Sequence, residues 1–292
     1  MIYHILVASY TNEIYTLAFD PDVPSLTLAS SLTVGHHPSW ITRHPTDTSL
    51  IFTGLEQPDG KVVALRYDAE GRGTIVGEAP SGGGHPCSLL ATKDQLLIGN
   101  YLPGTFATIP LSPEPPHLQG PPAVVAFTGT GPNVQRQSAP HQHQVALHPR
   151  ARSWHVDYAP GAGPRHIAFH DDIMYTVLEL ANEVTAHRVP PLPTPPTLLS
   201  TAPTMRVFPD AAHMLAGEIL VAPPSTVCPA PFVYVSNRDD PSSEGDAIAV
   251  FSADGTLTRV AEVRTELQHV RGMVVGGRVG NGSSQVGCMA PG

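Results

Sequence analysis

The chain has 292 residues with 25 acidic against 16 basic side chains, a formal net charge of −9. It therefore lacks the basic face that a nucleic acid partner requires. No window approaches the roughly 18 consecutive apolar residues of a spanning helix, so no membrane partner is expected. The length suits one large all-β domain or two ordinary domains, and 26 glycines with 32 prolines supply frequent turns.

The chain opens on Ile5-Leu6-Val7-Ala8, a polar Ser9-Tyr10-Thr11-Asn12-Glu13, and then Ile14 to Phe19 before the turn Asp20-Pro21-Asp22. With no basic segment ahead of it, this start reads as a strand rather than a secretory leader. Leu26 to Ser30 follows, then Leu50 to Thr53, Val62 to Tyr67, Leu96 to Tyr101 and Phe106 to Ile109. Further on come Ile173 to Glu179, Val184 to Val189, Phe232 to Asn237 and Ala247 to Phe251. Short apolar runs between turn residues are strands, and no long amphipathic helical pattern competes with them. The proline-rich span from Pro190 to Pro209 is expected to be a loop, because prolines remove ladder donors.

A short motif recurs between these runs. Its clearest copy is Gly161-Ala162-Gly163-Pro164-Arg165-His166-Ile167-Ala168-Phe169-His170. Other copies surround Pro38, Pro86 and Pro140, the last reading Pro140-His141-Gln142-His143-Gln144-Val145 and running on to His148-Pro149. A degenerate copy stands at His269-Val270-Arg271-Gly272-Met273. Units of about 50 residues with about four short strands indicate a β-propeller. The motif prolines lie 48 residues apart (38 to 86) and 54 apart (86 to 140), but then only 24 (140 to 164). This spacing predicts a half-length blade around residues 150–170, with a half set of strands from Trp154 to His170. The glycine-rich stretch from Gly276 reads as a flexible tail over 276–292.

These repeats resemble the lactonase family of seven-bladed β-propellers, which includes 6-phosphogluconolactonases and fungal 3-carboxy-cis,cis-muconate cyclases. The most specific pieces are Pro140 to Val145, Gly163-Pro164-Arg165-His166, Leu178-Glu179-Leu180 with Asn182-Glu183-Val184, and Val270-Arg271-Gly272-Met273. The resemblance implies one all-β propeller domain over residues 1–275. Family members carry a strand pair after the His-rich motif and a closing blade after Arg-Gly-Met. This chain has neither, so an incomplete ring of about five full blades and a half blade is expected. The resemblance also implies ring-opening or ring-closing chemistry on a small anionic lactone or polycarboxylate, without a cofactor. A propeller that binds without catalysis is the alternative.

Residues ending the first strand of each unit are placed in similar register: Ser9, Glu56, Asn100, Glu179 and Asn237. Glu179, within Val177-Leu178-Glu179-Leu180, is a carboxylate in an apolar run, where it needs a partner or a task. Arg165 and Arg271 occupy equivalent motif positions, and guanidinium groups hold carboxylate or phosphate bidentately. His141 and His143, two apart on an extended segment, point the same way and can move protons near neutral pH. The expected catalytic set is thus Glu179, His143 and His141, with Arg165, Arg271 and Asn100 holding substrate. No HExxH, CxxC or GxSxG pattern occurs, so neither a metal nor a nucleophilic serine is expected. Cys87, Cys228 and Cys288 are odd in number and widely spaced, which fits a reducing, cytoplasmic setting rather than a disulfide framework.

Overall fold

A computed structural model describes residues 2–23, 25–147, 155–191, 194–209, 213–222, 224 and 229–275. His148, Pro149, Trp154, Cys228, Cys288 and the tail at 276–292 lie outside the described residues. The described residues contain strands and turns and no α-helix. The chain divides into two compact units, Met1–Val145 and Ala146–Val275.

The first unit holds three antiparallel sheets. β1 (Tyr3–Val7), β2 (Glu13–Asp20) and β3 (Ser25–Thr33) form a three-stranded one. β4 (Pro38–Arg43), β5 (Leu50–Leu55), β6 (Lys61–Tyr67) and β7 (Gly73–Pro80) form a four-stranded one. β8 (Gly84–Ala91), β9 (Gln95–Leu102), β10 (Thr105–Pro110) and β11 (Ala123–Ala126) form another. The second unit holds two four-stranded sheets. One comprises β12 (Pro164–His170), β13 (Ile173–Leu178), β14 (Glu183–Arg188) and β15 (Thr197–Pro203). The other comprises β16 (Leu215–Ala222), β17 (Phe232–Arg238), β18 (Ala247–Ser252) and β19 (Arg259–Arg264).

Burial explains the order within a sheet. Second strands such as β5 and β13 are buried along their whole length, and they read as unbroken apolar runs. The last strands are largely exposed, as β3, β11 and β15 show, and β3 and β15 mix Ser and Thr with their apolar residues. Sheets within a unit pack face to face. Phe52, Leu89, Leu96, Ile98 and Ile109 fill the space between the sheets of β4–β7 and β8–β11. Tyr175, Val177, Val184, Val235 and Phe251 do the same between those of β12–β15 and β16–β19. Burying each of these side chains stabilises by about 1.5–3 kcal/mol.

Two expectations change. The strand ending at His170 is no half blade: it opens the complete sheet β12–β15, and residues 155–163 ahead of it form no strand. Motif copies begin the sheets β4–β7, β8–β11 and β12–β15. The proline-rich span is also shorter than expected as a loop, because the proline-free Thr197-Leu198-Leu199-Ser200-Thr201-Ala202 pairs with β14 as an outer strand.

The first strand of each four-stranded sheet carries a bulge at the same place. The register shifts between Pro38 and Trp40, between Pro86 and Ser88, between Pro164 and His166, and between Ala216 and Ile219. A bulge leaves a residue outside the ladder and re-aims its side chain. The bulged residues are Ser39, Cys87, Arg165 and the pair Gly217-Glu218. Three of these side chains reach the backbone of the next motif copy or first strand: Ser39 Oγ donates to Pro86 O at 3.4 Å, Cys87 Sγ to Gln142 O at 3.1 Å, and Arg165 Nη1 to Gly217 O on β16 at 2.9 Å. The copies at 140–145 and 269–275 have no strand pairing, yet each rests on the sheet before it. Val145 N–H donates to Ser88 Oγ at 3.0 Å, and Ser236 Oγ donates to Val270 O at 2.9 Å.

Candidate active site

In the second unit the bulge on β12 turns Arg165 toward Glu179, the residue following β13. Arg165 Nε lies 3.5 Å from Glu179 Oε2, too far and misaligned for a hydrogen bond, while Arg238 Nη2 donates to Glu179 Oε1 at 2.5 Å. Arg238 ends β17 and also donates to Ala216 O at 3.2 Å. The three side chains are nearly buried, with exposures of 3% for Arg165, 12% for Glu179 and 5% for Arg238. Burial, and then the neighbouring Arg238 charge, lower the proton affinity of Arg165; Glu179 and Glu218 oppose them, and the charge of Arg271 also lowers it. Arg271, within the unpaired copy, is thus electrically part of the same cluster.

A second dyad backs the first. His166 Nδ1 lies 2.7 Å from Glu218 Oε1, which also accepts from Ile219 N–H at 2.9 Å. The Arg165 Nη1 sits 3.2 Å from both His166 ring nitrogens. Equidistant from both nitrogens, the guanidinium nitrogen lies over the imidazole face, so the ring props Arg165 while its edge engages Glu218. Burial holds its pKa below the ordinary 6.5, with Glu218 acting in the opposite sense. The unfolded chain therefore binds the proton more readily, and stability present above about pH 6.5 is lost as pH falls toward the folded value. Urea midpoints of the wild type are expected to drop between pH 7 and 5.5 more steeply than those of His166→Gln. Parallel slopes would show that His166 does not titrate on unfolding.

The first unit carries the histidines. Tyr101 stacks on His141 at 4.0 Å and meets His143 edge-on at 5.2 Å, so both imidazoles lie against one ring, as their spacing requires. His141 Nδ1 is 2.9 Å from Tyr101 O. Tyr10 donates to Glu56 at 3.1 Å and packs edge-on against His37, which stacks on His36. No group of three His, Cys, Asp or Glu side chains that could hold a metal occurs among the described residues.

The structure thus joins Glu179, Arg165 and Arg271 in one unit and His141 with His143 in the other. Asn100 corrects the sequence reading. It is fully buried, and its Nδ2 donates to Ser81 O at 3.0 Å and Thr105 Oγ1 at 3.1 Å. The ladder gives the reason. Pro38 pairs Leu55, Pro86 pairs Asn100 and Pro164 pairs Leu178, while Ala216 pairs Asn237. Leu55, Asn100, Leu178 and Asn237 are therefore register mates on the packed side, and the residues one further on, Glu56, Tyr101, Glu179 and Arg238, share the other. Asn100 and Asn237 thus stand one residue out of step with Glu56 and Glu179, which puts them on the opposite face. Asn100→Ala is accordingly expected to cost about 1–3 kcal/mol of stability through lost buried hydrogen bonds, with KM unchanged. A raised KM at wild-type stability would return Asn100 to the substrate.

A model of the "Lactonase, 7-bladed beta-propeller" family matches residues 4–157 and 151–278, two stretches that meet where the motif spacing collapses. The chain is 28% identical over 299 residues to the 6-phosphogluconolactonase of Bacillus subtilis (strain 168), covering 89% of this chain and 81% of that protein. Among solved structures, a 6-phosphogluconolactonase candidate from Bacteroides fragilis superposes with a TM-score of 0.79 at 23% identity, over 94% of this chain and 85% of that one. The periplasmic gluconolactonase of Pseudomonas aeruginosa gives 0.75 at 22% identity, over 93% and 85%. At these identities the solved structures speak for the fold alone.

Proposed function

The chain belongs to the lactonase family of seven-bladed β-propellers, and from that premise we propose that it opens the ring of a small anionic sugar lactone, 6-phosphogluconolactone by kinship with the Bacillus subtilis relative. The observation that carries the proposal is the charge at Glu179. Arg165 and Arg238 flank Glu179 and Arg271 adds its charge beside Arg165, three cations against the two carboxylates Glu179 and Glu218, in a protein of net charge −9. A local cationic excess in an acidic protein attracts an anion and opposes stray binding elsewhere.

In this reading water attacks the lactone carbonyl and the ring C–O bond breaks, leaving a carboxylate and a hydroxyl. A guanidinium of the cluster holds the anionic group and stabilises negative charge developing on the carbonyl oxygen. Glu179 takes the proton of the attacking water and returns one to the departing ring oxygen. Glu218 and His166 fix Arg165 from behind. The Nε groups of Arg165 and Arg238 have no acceptor among the described residues, so the cluster retains unfilled donor capacity.

The test is a panel of 6-phosphogluconolactone, unphosphorylated gluconolactone and 3-carboxymuconate with the purified chain. Turnover of the phosphorylated lactone should exceed that of the neutral one. Arg271→Ala should weaken apparent substrate binding by about 1.5 kcal/mol, the low end for a charged hydrogen bond. Ring closure of carboxymuconate without lactone hydrolysis would replace the hydrolase reading by a cycloisomerase one. Binding of the anion without turnover of any substrate would leave a binding protein.

A further inference from the structure

The face of β12–β15 turned away from β16–β19 carries a second, unused feature. Glu183, Thr185 and His187 alternate along β14 with Val184 and Ala186, which enter the core. Residues 157–162 cross this face and enclose with it a cavity of about 460 Å³. That volume lies within the range of about 300–1,000 Å³ usual for small-molecule sites. It is separate from the Glu179 cluster, and the lactone chemistry makes no use of it.

Its lining is chemically specific. Tyr158 and His187 meet edge-on at 5.7 Å, and Leu178 and Leu198 add apolar surface. The only charged side chains lining it are the carboxylates Asp157 and Glu183; no lysine or arginine of the described residues does so. His187 is more than nine-tenths buried, and neither ring nitrogen has a hydrogen-bond partner among the described residues, Nδ1 being wholly enclosed. Burial depresses its pKa, so the ring is neutral at pH 7 and offers one donor and one acceptor. The Tyr158 hydroxyl is already committed, donating to Thr176 Oγ1 at 2.7 Å. A guest is therefore asked for an apolar ring, a cationic end for Glu183 and a hydroxyl for His187.

Length narrows the class. Glu183 and His187 are four residues apart on a strand, about 13 Å at about 3.3 Å per residue. Two hydrogen bonds of about 2.8 Å leave about 7–8 Å between the guest's polar ends. A para-substituted ring with a two-carbon tether spans that distance. We propose that this cavity binds a small phenolic amine, its ammonium on Glu183 and its hydroxyl on the His187 imidazole.

The experiment is titration calorimetry of the full chain with tyramine as probe, beside phenethylamine, which lacks the hydroxyl, and 3-(4-hydroxyphenyl)propionate, which exchanges the cation for an anion. Tyramine should bind with a Kd below about 1 mM. Phenethylamine should bind roughly 5- to 10-fold more weakly, for the loss of one hydrogen bond, and the propionate more weakly still. Glu183→Gln, a change at a partly exposed site, should remove the preference for amine over propionate while leaving the unfolding midpoint unchanged. His187→Phe should bring tyramine down to the phenethylamine level. Equal affinity for tyramine and the propionate, or no heat from tyramine at millimolar concentration with folded wild type, would overturn the assignment. Lactone turnover is expected to be the same with and without tyramine, so this result and that of the substrate panel stand apart.

Discussion

Glu179→Ala is expected to lower the unfolding free energy by about 3–5 kcal/mol and to reduce lactone turnover at least about 100-fold. The stability loss arises because the Arg165 and Arg238 side chains, 3% and 5% exposed, would keep their buried charges and lose the anion between them. Removing one partner of a buried ion pair is costly in a way that removing the whole group is not. Glu179→Gln separates the two effects. It keeps an oxygen to accept from Arg238 and should recover part of the stability, but it cannot take a proton from water and should stay inactive. Urea unfolding and initial rates at saturating lactone measure the pair. If Glu179→Gln hydrolyses lactone at the wild-type rate, Glu179 is a structural anion and the general base lies elsewhere.

Gly104→Ala should cost about 2–3 kcal/mol and disturb the histidine side of the protein from a distance. Gly104 stands in the turn between β9 and β10 with φ +83°, a conformation that side chains rarely adopt. A Cβ there would lie 2.2 Å from the carbonyl oxygen of Pro140 and 2.7 Å from its carbon. Backbone cannot yield as a flexible side chain would, so the segment opening the His-rich motif must move. The next residue is His141, held by stacking on Tyr101. The upfield ring-current shift of the His141 imidazole protons should therefore collapse in the variant. Retention of that shift with an unchanged urea midpoint would show that the segment adjusts freely.

The strands were legible because their signal is local. Leu50-Ile51-Phe52 and Ile173-Met174-Tyr175 are apolar runs bounded by turns, and the recurring motif set their grouping into sheets. The bulges were not legible, because a residue left out of a ladder has no mark in the one-dimensional pattern. That omission decided the site. Arg165 was found by its place in the motif and Glu179 by its apolar surroundings, but Asn100 and Asn237 were matched to Glu179 one residue too early. The slip hid Arg238, the neighbour of Asn237 and the strongest partner of Glu179. His166 and Glu218 are 52 residues apart. Their pairing depends on two adjacent first strands, which no local pattern in the sequence reports.

The contacts between motif copies bear on how such a chain can change length. Ser39 reaches Pro86, Cys87 reaches Gln142 and Arg165 reaches Gly217. The stretch between two copies is therefore an excursion that leaves a point and comes back beside it. Its strands are joined in simple sequence, β4-β5-β6-β7 and likewise elsewhere, so nothing threads through it. Cutting out or duplicating such an excursion brings together chain ends that are already neighbours. The ancestry of a protein like this can lose or gain a whole sheet in one genetic step, with the surviving sheets still folding by successive hairpins from contacts close in sequence.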